Sequence, residues 1–111
     1  MNVSVMNLET KEIVTISNDD ILYISRSGHN GSIQKVTTED GEYRLLSELE
    51  VVKHLTDIGL LKISDVGVAV NLKKVKRIDP INRKLVFNEG KEALVSTSKF
   101  KDIEEEILRL T

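Results

Sequence analysis

Two apolar runs constrain this chain more than anything else in it. Ile21-Leu-Tyr-Ile-Ser25 and Gly67-Val-Ala-Val-Asn-Leu-Lys-Lys-Val-Lys-Arg-Ile-Asp79 each read as a buried strand that ends in a polar turn. A strand written as a continuous apolar run, without polar alternation, expects cover on both faces. Between the two lie a hairpin and a single short helical stripe, an order that few small domains share. Chemistry is not advertised anywhere else. The chain has no cysteine, no tryptophan and two histidines.

That absence of cysteine removes disulfides, thiolate catalysis and zinc–thiolate sites together, and fits a reducing cytosol. With 111 residues the chain is expected to form one domain over 1–111, large enough for a core without metal or disulfide staples. Met1-Asn-Val-Ser-Val lacks the basic-then-apolar order of a signal peptide. No apolar run approaches the ~18 residues that a membrane span requires. The formal charge of −2 gives no general attraction to polyanions, although net charge averages over surfaces.

Elsewhere the pattern is mostly β. Val3 and Val5 alternate with polar neighbours, and Ile13-Val-Thr-Ile16 follows a turn at Glu9-Thr-Lys-Glu12. Ser27-Gly-His-Asn-Gly31 has the composition of a loop needing positive φ. Glu39-Asp-Gly41 predicts a hairpin turn between strands 32–38 and 42–46. Leu46, Leu49, Val52 and Leu55 then form a helical stripe with Ser47 placed as N-cap, and Gly59 stops it. Strands are expected at 60–64, 66–70, 75–79, 84–87 and 91–95. Phe100, Ile103, Ile107 and Leu110 line one face of a last helix near 97–109. Neither a linker nor a repeat interrupts the chain. The expected core is Leu22, Ile24, Leu49, Val52, Val70, Val75, Ile78, Phe87, Val95, Phe100, Ile103 and Ile107.

The order Asp20-Ile-Leu-Tyr-Ile24, glycine-bearing loop, Asp-Gly turn, leucine-rich helix, Val70-Asn-Leu-Lys-Lys-Val-Lys-Arg-Ile78 and Val95-Ser96 before an amphipathic helix resembles LytTR-type DNA-binding domains. The resemblance spans residues 3–110. It implies a mainly β fold: an elongated stack of small antiparallel sheets with one short mid-chain helix and a C-terminal helix. It also implies a bacterial response-regulator output domain, stand-alone or excised, that binds double-stranded DNA through loops in successive major grooves. Direct-repeat sites and pairing as a homodimer on DNA follow from the same likeness, in the cytoplasm and without a cofactor.

Three base-contact positions are implied, and each departs from the family pattern. The first falls on Gly31, Asn30 or His29, of which His29 and Asn30 present groups able to meet a base edge. The same two residues also serve as ordinary turn formers. At the second, Asp65 or Val66 replaces an arginine or asparagine; aspartate accepts from cytosine but repels phosphate. At the third, Ser98 stands in place of an arginine, with Lys99 alongside, and Ser96-Thr-Ser98 reads equally as a helix cap.

Phosphate contacts are offered by Lys73, Lys74, Lys76, Arg77, Arg83 and Lys84, set against Asp79 alone. The competing reading of that segment is a solvated strand face. Catalysis has no support: His29 and His54 are distant in sequence with no carboxylate cluster, and neither a nucleophile elbow nor a phosphate-cradling glycine loop occurs. Two functions therefore stand, a DNA-binding transcription regulator and a LytTR-shaped protein-interaction module that has lost DNA.

Overall fold

The computed structural model describes residues 2–28, 31–46 and 50–110. Ten strands form two antiparallel sheets. The larger contains β1 (Asn2–Asn7), β2 (Ile13–Ser17), β3 (Tyr23–Ser27), β4 (Ile33–Thr38), β5 (Gly41–Leu45), β6 (Lys62–Asp65) and β7 (Val68–Val70), in the order β2-β1-β5-β4-β3-β7-β6. The smaller contains β8 (Arg77–Asp79), β9 (Lys84–Val86) and β10 (Glu92–Leu94), with β9 in the middle. Helix α1 (Glu50–Asp57), helix α2 (Thr97–Leu110) and three short 3-10 turns complete the described elements. The expected mainly β architecture with a mid-chain and a C-terminal helix is what forms.

The first apolar run explains itself once its neighbours are known. Tyr23 pairs in register with Val70 and Ile24 with Ala69. Ile24 and Ala69 are buried with Val36, Leu45 and Leu55 in one core, against which α1 lays Val51 and Val52. Val70 is buried instead with Leu85, Phe87, Val95 and Ile103, and Tyr23 packs against that second core. Where Tyr23 and Ile24 pair with Val70 and Ala69, the two strands thus carry a core on each face and have no polar side to show. Tyr23 and Phe87 bring their rings to 5.5 Å between centroids and so join the two sheets.

Asn71, fully buried, is a polar staple at the same junction. Its Nδ2 donates to the Ile21 carbonyl at 3.1 Å, while its backbone N–H donates to Leu22 at 2.9 Å. Leu22 in turn donates to the Thr37 carbonyl at 2.9 Å, so the line of pairing continues ahead of β3.

Several expectations shift. The hairpin between β4 and β5 turns on Glu39-Asp40, with Gly41 already paired to Thr38 as the first residue of β5. The Thr38 hydroxyl accepts from the N–H groups of Asp40 and Gly41, both at 3.2 Å, which moves the turn back by one residue. The strand expected at 75–79 is only Arg77–Asp79, because residues Leu72–Lys74 wind into a 3-10 turn first. In the expected core, Val52, Val75, Ile78 and Phe100 are half-buried, whereas Leu55, Leu61, Val36 and Leu85 are buried more fully. Leu49 and the Ser47 cap lie outside the described residues. Helix α1 ends as the sequence implies: Gly59 takes φ 82°, which lets Leu60 and Leu61 both donate to the Leu55 carbonyl.

Candidate nucleic-acid interface

The three segments expected to meet DNA are physically joined. His29 and Asn30, the first-position candidates, lie outside the described residues, but the glycines around them do not. Gly28 and Gly31 both adopt positive φ, and Gly31 donates to the Gly28 carbonyl at 3.2 Å. This tight turn brings Gly31 against the stem of Arg26, the fourth residue of β3. On the other flank of that stem stands Gly67, whose carbonyl accepts from the Arg26 N–H at 3.0 Å. A Cβ on Gly67 would sit 3.1 Å from both Cγ and Cδ of Arg26, and one on Gly31 would sit 3.4 Å from Cδ.

Gly67 belongs to the β6–β7 turn that carries the second position. Asp65 Oδ1 accepts from the Val66 N–H at 2.8 Å, so part of this carboxylate is committed to shaping the turn. Val66 points away from the protein, 93% exposed. The pairing of β6 with β7 slips between Ile63 and Asp65, which re-aims the tip.

From the second position the path runs to the third through Ser64. This buried side chain donates to the Leu94 carbonyl at 2.7 Å, and its own carbonyl accepts from the Ser96 N–H at 2.7 Å. Ser96 precedes α2, its carbonyl accepts from Lys99 at 3.1 Å, and its Oγ lies 3.4 Å from Ser98 Oγ. Ser98 and Lys99 are both exposed on the first turn of the helix. The serines thus stand at the start of the helix, Ser96 half-buried and Ser98 open to solvent.

The basic segment, continuous in sequence, is dispersed in space. Lys73 shares a cleft with Glu106 and Leu110 at the far end of α2, about 20 Å along that helix from its start. Lys74 faces the other way, into a cleft with Asp20, Glu39 and Asp40. Lys84 is paired with Glu92 at 3.0 Å. Register places Arg77, Asp79, Lys84 and Glu92 together on the outward face of the small sheet, which makes that face mixed in charge. Lys76 is exposed. Arg83 returns to the segment before α2 through the bond from Val95 N–H to its carbonyl at 2.9 Å, beside Lys84, which pairs in register with Leu94.

Asp79 organises the turn that presents Arg83. Its Oδ1 accepts from the N–H groups of Ile81 and Asn82 at 3.1 Å, and its Oδ2 accepts from Asn82 Nδ2 at 3.0 Å. The Asn82 side-chain bond first, then the backbone bonds and Arg77's charge, hold its pKa below the ordinary 3.8. A depressed folded-state pKa means that this stabilisation is complete above the unfolded value and is lost as pH falls through the folded one. A carboxyl-detected NMR titration is expected to place Asp79's midpoint below 3.8, and Asn82→Ala to raise it. An unshifted wild-type midpoint would remove the turn's electrostatic support.

Arg26 was missed in the sequence, where it is one more charged residue after an apolar strand. The signal that finds it is the glycine on each side, Gly31 and Gly67, contributed by separate segments. Among the described residues, no group of three His, Cys, Asp or Glu side chains is placed to hold a metal, and no helix is long and apolar enough to cross a membrane.

Comparison with known proteins adds to this geometry. The family model described as the LytTr DNA-binding domain matches residues 11–108. Among solved structures, the chain is similar to one described as the LytTr DNA-binding domain of a methyl-accepting/DNA response regulator from Bacillus cereus. The TM-score is 0.71 at 15% identity, covering 96% of this chain and 95% of that one. No curated protein matches the chain in sequence.

Proposed function

The chain belongs to the LytTr DNA-binding domain family, and we propose that it is the DNA-reading part of a bacterial transcription regulator, working in the cytoplasm without catalysis or cofactor. The observation that carries this reading is a path of contacts and hydrogen bonds that links the three segments. It runs from the 28–31 turn through Arg26 and Gly67 to Asp65, and through Ser64 and Ser96 to Ser98 and Lys99. Segments meant to read DNA need a fixed spacing, because a displaced donor meets no base edge. Backbone bonds between the segments supply that rigidity.

In this reading His29, Asn30, Asp65, Ser98 and Lys99 approach base edges. Arg83 and the exposed Lys76 and Arg77 supply phosphate contacts, with smaller shares from Lys73, Lys74 and Lys84, each of which has at least one carboxylate near it. Two copies bind direct repeats as a homodimer on double-stranded DNA. A second reading, a protein-interaction module, is favoured by one feature: the β6–β7 tip offers an exposed valine beside a carboxylate where DNA would meet a cation.

A mobility-shift titration separates the two. With random duplex and with repeat-containing duplex, binding is expected at low salt. Log affinity should then fall linearly with log salt, by about 0.9 per phosphate neutralised. No retardation of either duplex at low salt would leave the interaction module as the function.

A further inference from the structure

Arg26 is the feature that neither the fold nor the expected contact positions absorb. The described ion pairs use Lys35, Lys53, Lys62 and Lys84, so no described carboxylate pairs with this guanidinium. Its neighbour across β3–β4 is the uncharged Gln34. The residue is exposed, yet its stem lies against two glycines, closely enough at Gly67 that a Cβ there would crowd it at 3.1 Å, while one at Gly31 would touch it at 3.4 Å. Both glycines adopt positive φ, 68° at Gly31 and 72° at Gly67, a conformation in which any larger residue is strained.

From this we infer that Arg26 is a specificity-determining residue that reads a guanine in the major groove, its guanidinium aimed by Gly31 and Gly67. The inference rests on the proposed DNA-reading function and adds to it a fourth position. The chemistry selects guanine, because the fork of N–H donors matches the O6 and N7 acceptors of that base in pairs. A phosphate contact makes no such demand: it accepts any cation and needs no fixed stem. Holding the aliphatic portion still also limits the rotamer freedom lost on binding, which a free surface arginine would lose in full.

The test is selection of binding sites from a random duplex pool, followed by titration of the selected site and its single-base variants. Wild type, Arg26→Lys and Gly67→Ala are compared. Wild type should prefer guanine at one position by about 5- to 150-fold. Arg26→Lys keeps the charge but loses the rigid fork, so random-duplex affinity and salt slope should stay near wild type while that preference weakens. Gly67→Ala leaves every charge in place but sets a methyl 3.1 Å from the Arg26 stem, and should weaken the same preference at the same position. Arg26→Lys with the wild-type consensus and discrimination intact would overturn the inference while DNA binding stood. A wild type that retains no duplex at low salt overturns the DNA-reading function itself, and the inference with it.

Discussion

Ile24→Ala is expected to cost about 2–5 kcal/mol of folding stability, read as a lower urea midpoint at unchanged slope. Ile24 is 1% exposed, pairs in register with Val36 on one side and Ala69 on the other, and faces α1 in the first core. Neighbours fixed in ladders on both sides limit the collapse that would fill the space left by the lost atoms. A domain of this size has about 5–15 kcal/mol to lose in total, so the change should remove a large fraction of its stability. Phe100→Ala is the internal comparison. Phe100 sits half-buried at the margin of the second core, so its truncation should cost less than that of Ile24. Equal losses at the two positions, or a near-neutral Ile24→Ala, would mean that β3 presents a different face to α1.

The contrast between these residues marks how far the sequence could be read. The run Ile21 to Ile24 was legible as buried because apolar residues in succession require cover on both faces, and Ile24 and Val70 go to separate cores as that requires, although the strand itself begins only at Tyr23. Helix α2 was legible because Ile103 and Ile107 repeat at helical spacing. Strand ends were not, since they depend on single bonds such as those of the Thr38 hydroxyl, which compete locally with the ladder. The basic segment was the most misleading feature. Charge density in sequence says nothing of direction, and the 3-10 turn at Leu72–Lys74 sends Lys73 and Lys74 into separate clefts. Arg26 was illegible for the converse reason. What distinguishes it is contact with Gly31 and Gly67, and only the β3–β7 pairing brings Gly67 to it.

That same geometry gives the largest expected effect on binding, which is a gain. In Asp65→Asn combined with Ser98→Arg, the first change removes a negative charge and the second adds a positive one, on segments linked through Ser64 and Ser96. Neither should disturb the fold. Asparagine keeps the side-chain oxygen that accepts from Val66 N–H, and Ser98 is exposed on the first turn of α2. Two changes of charge toward a polyanion raise affinity on every sequence, and an arginine able to grip a base edge in pairs adds about 1–3 kcal/mol on the matching one. The double variant is therefore expected to bind a repeat-containing duplex about 10- to 100-fold more tightly than wild type at moderate salt, with a steeper salt slope. Lys73→Ala, at the far end of α2, should lower both quantities only slightly. If the double variant gains nothing while Lys73→Ala loses much of its affinity, then DNA lies against the other end of α2, and the path from Arg26 to Ser98 serves some other partner.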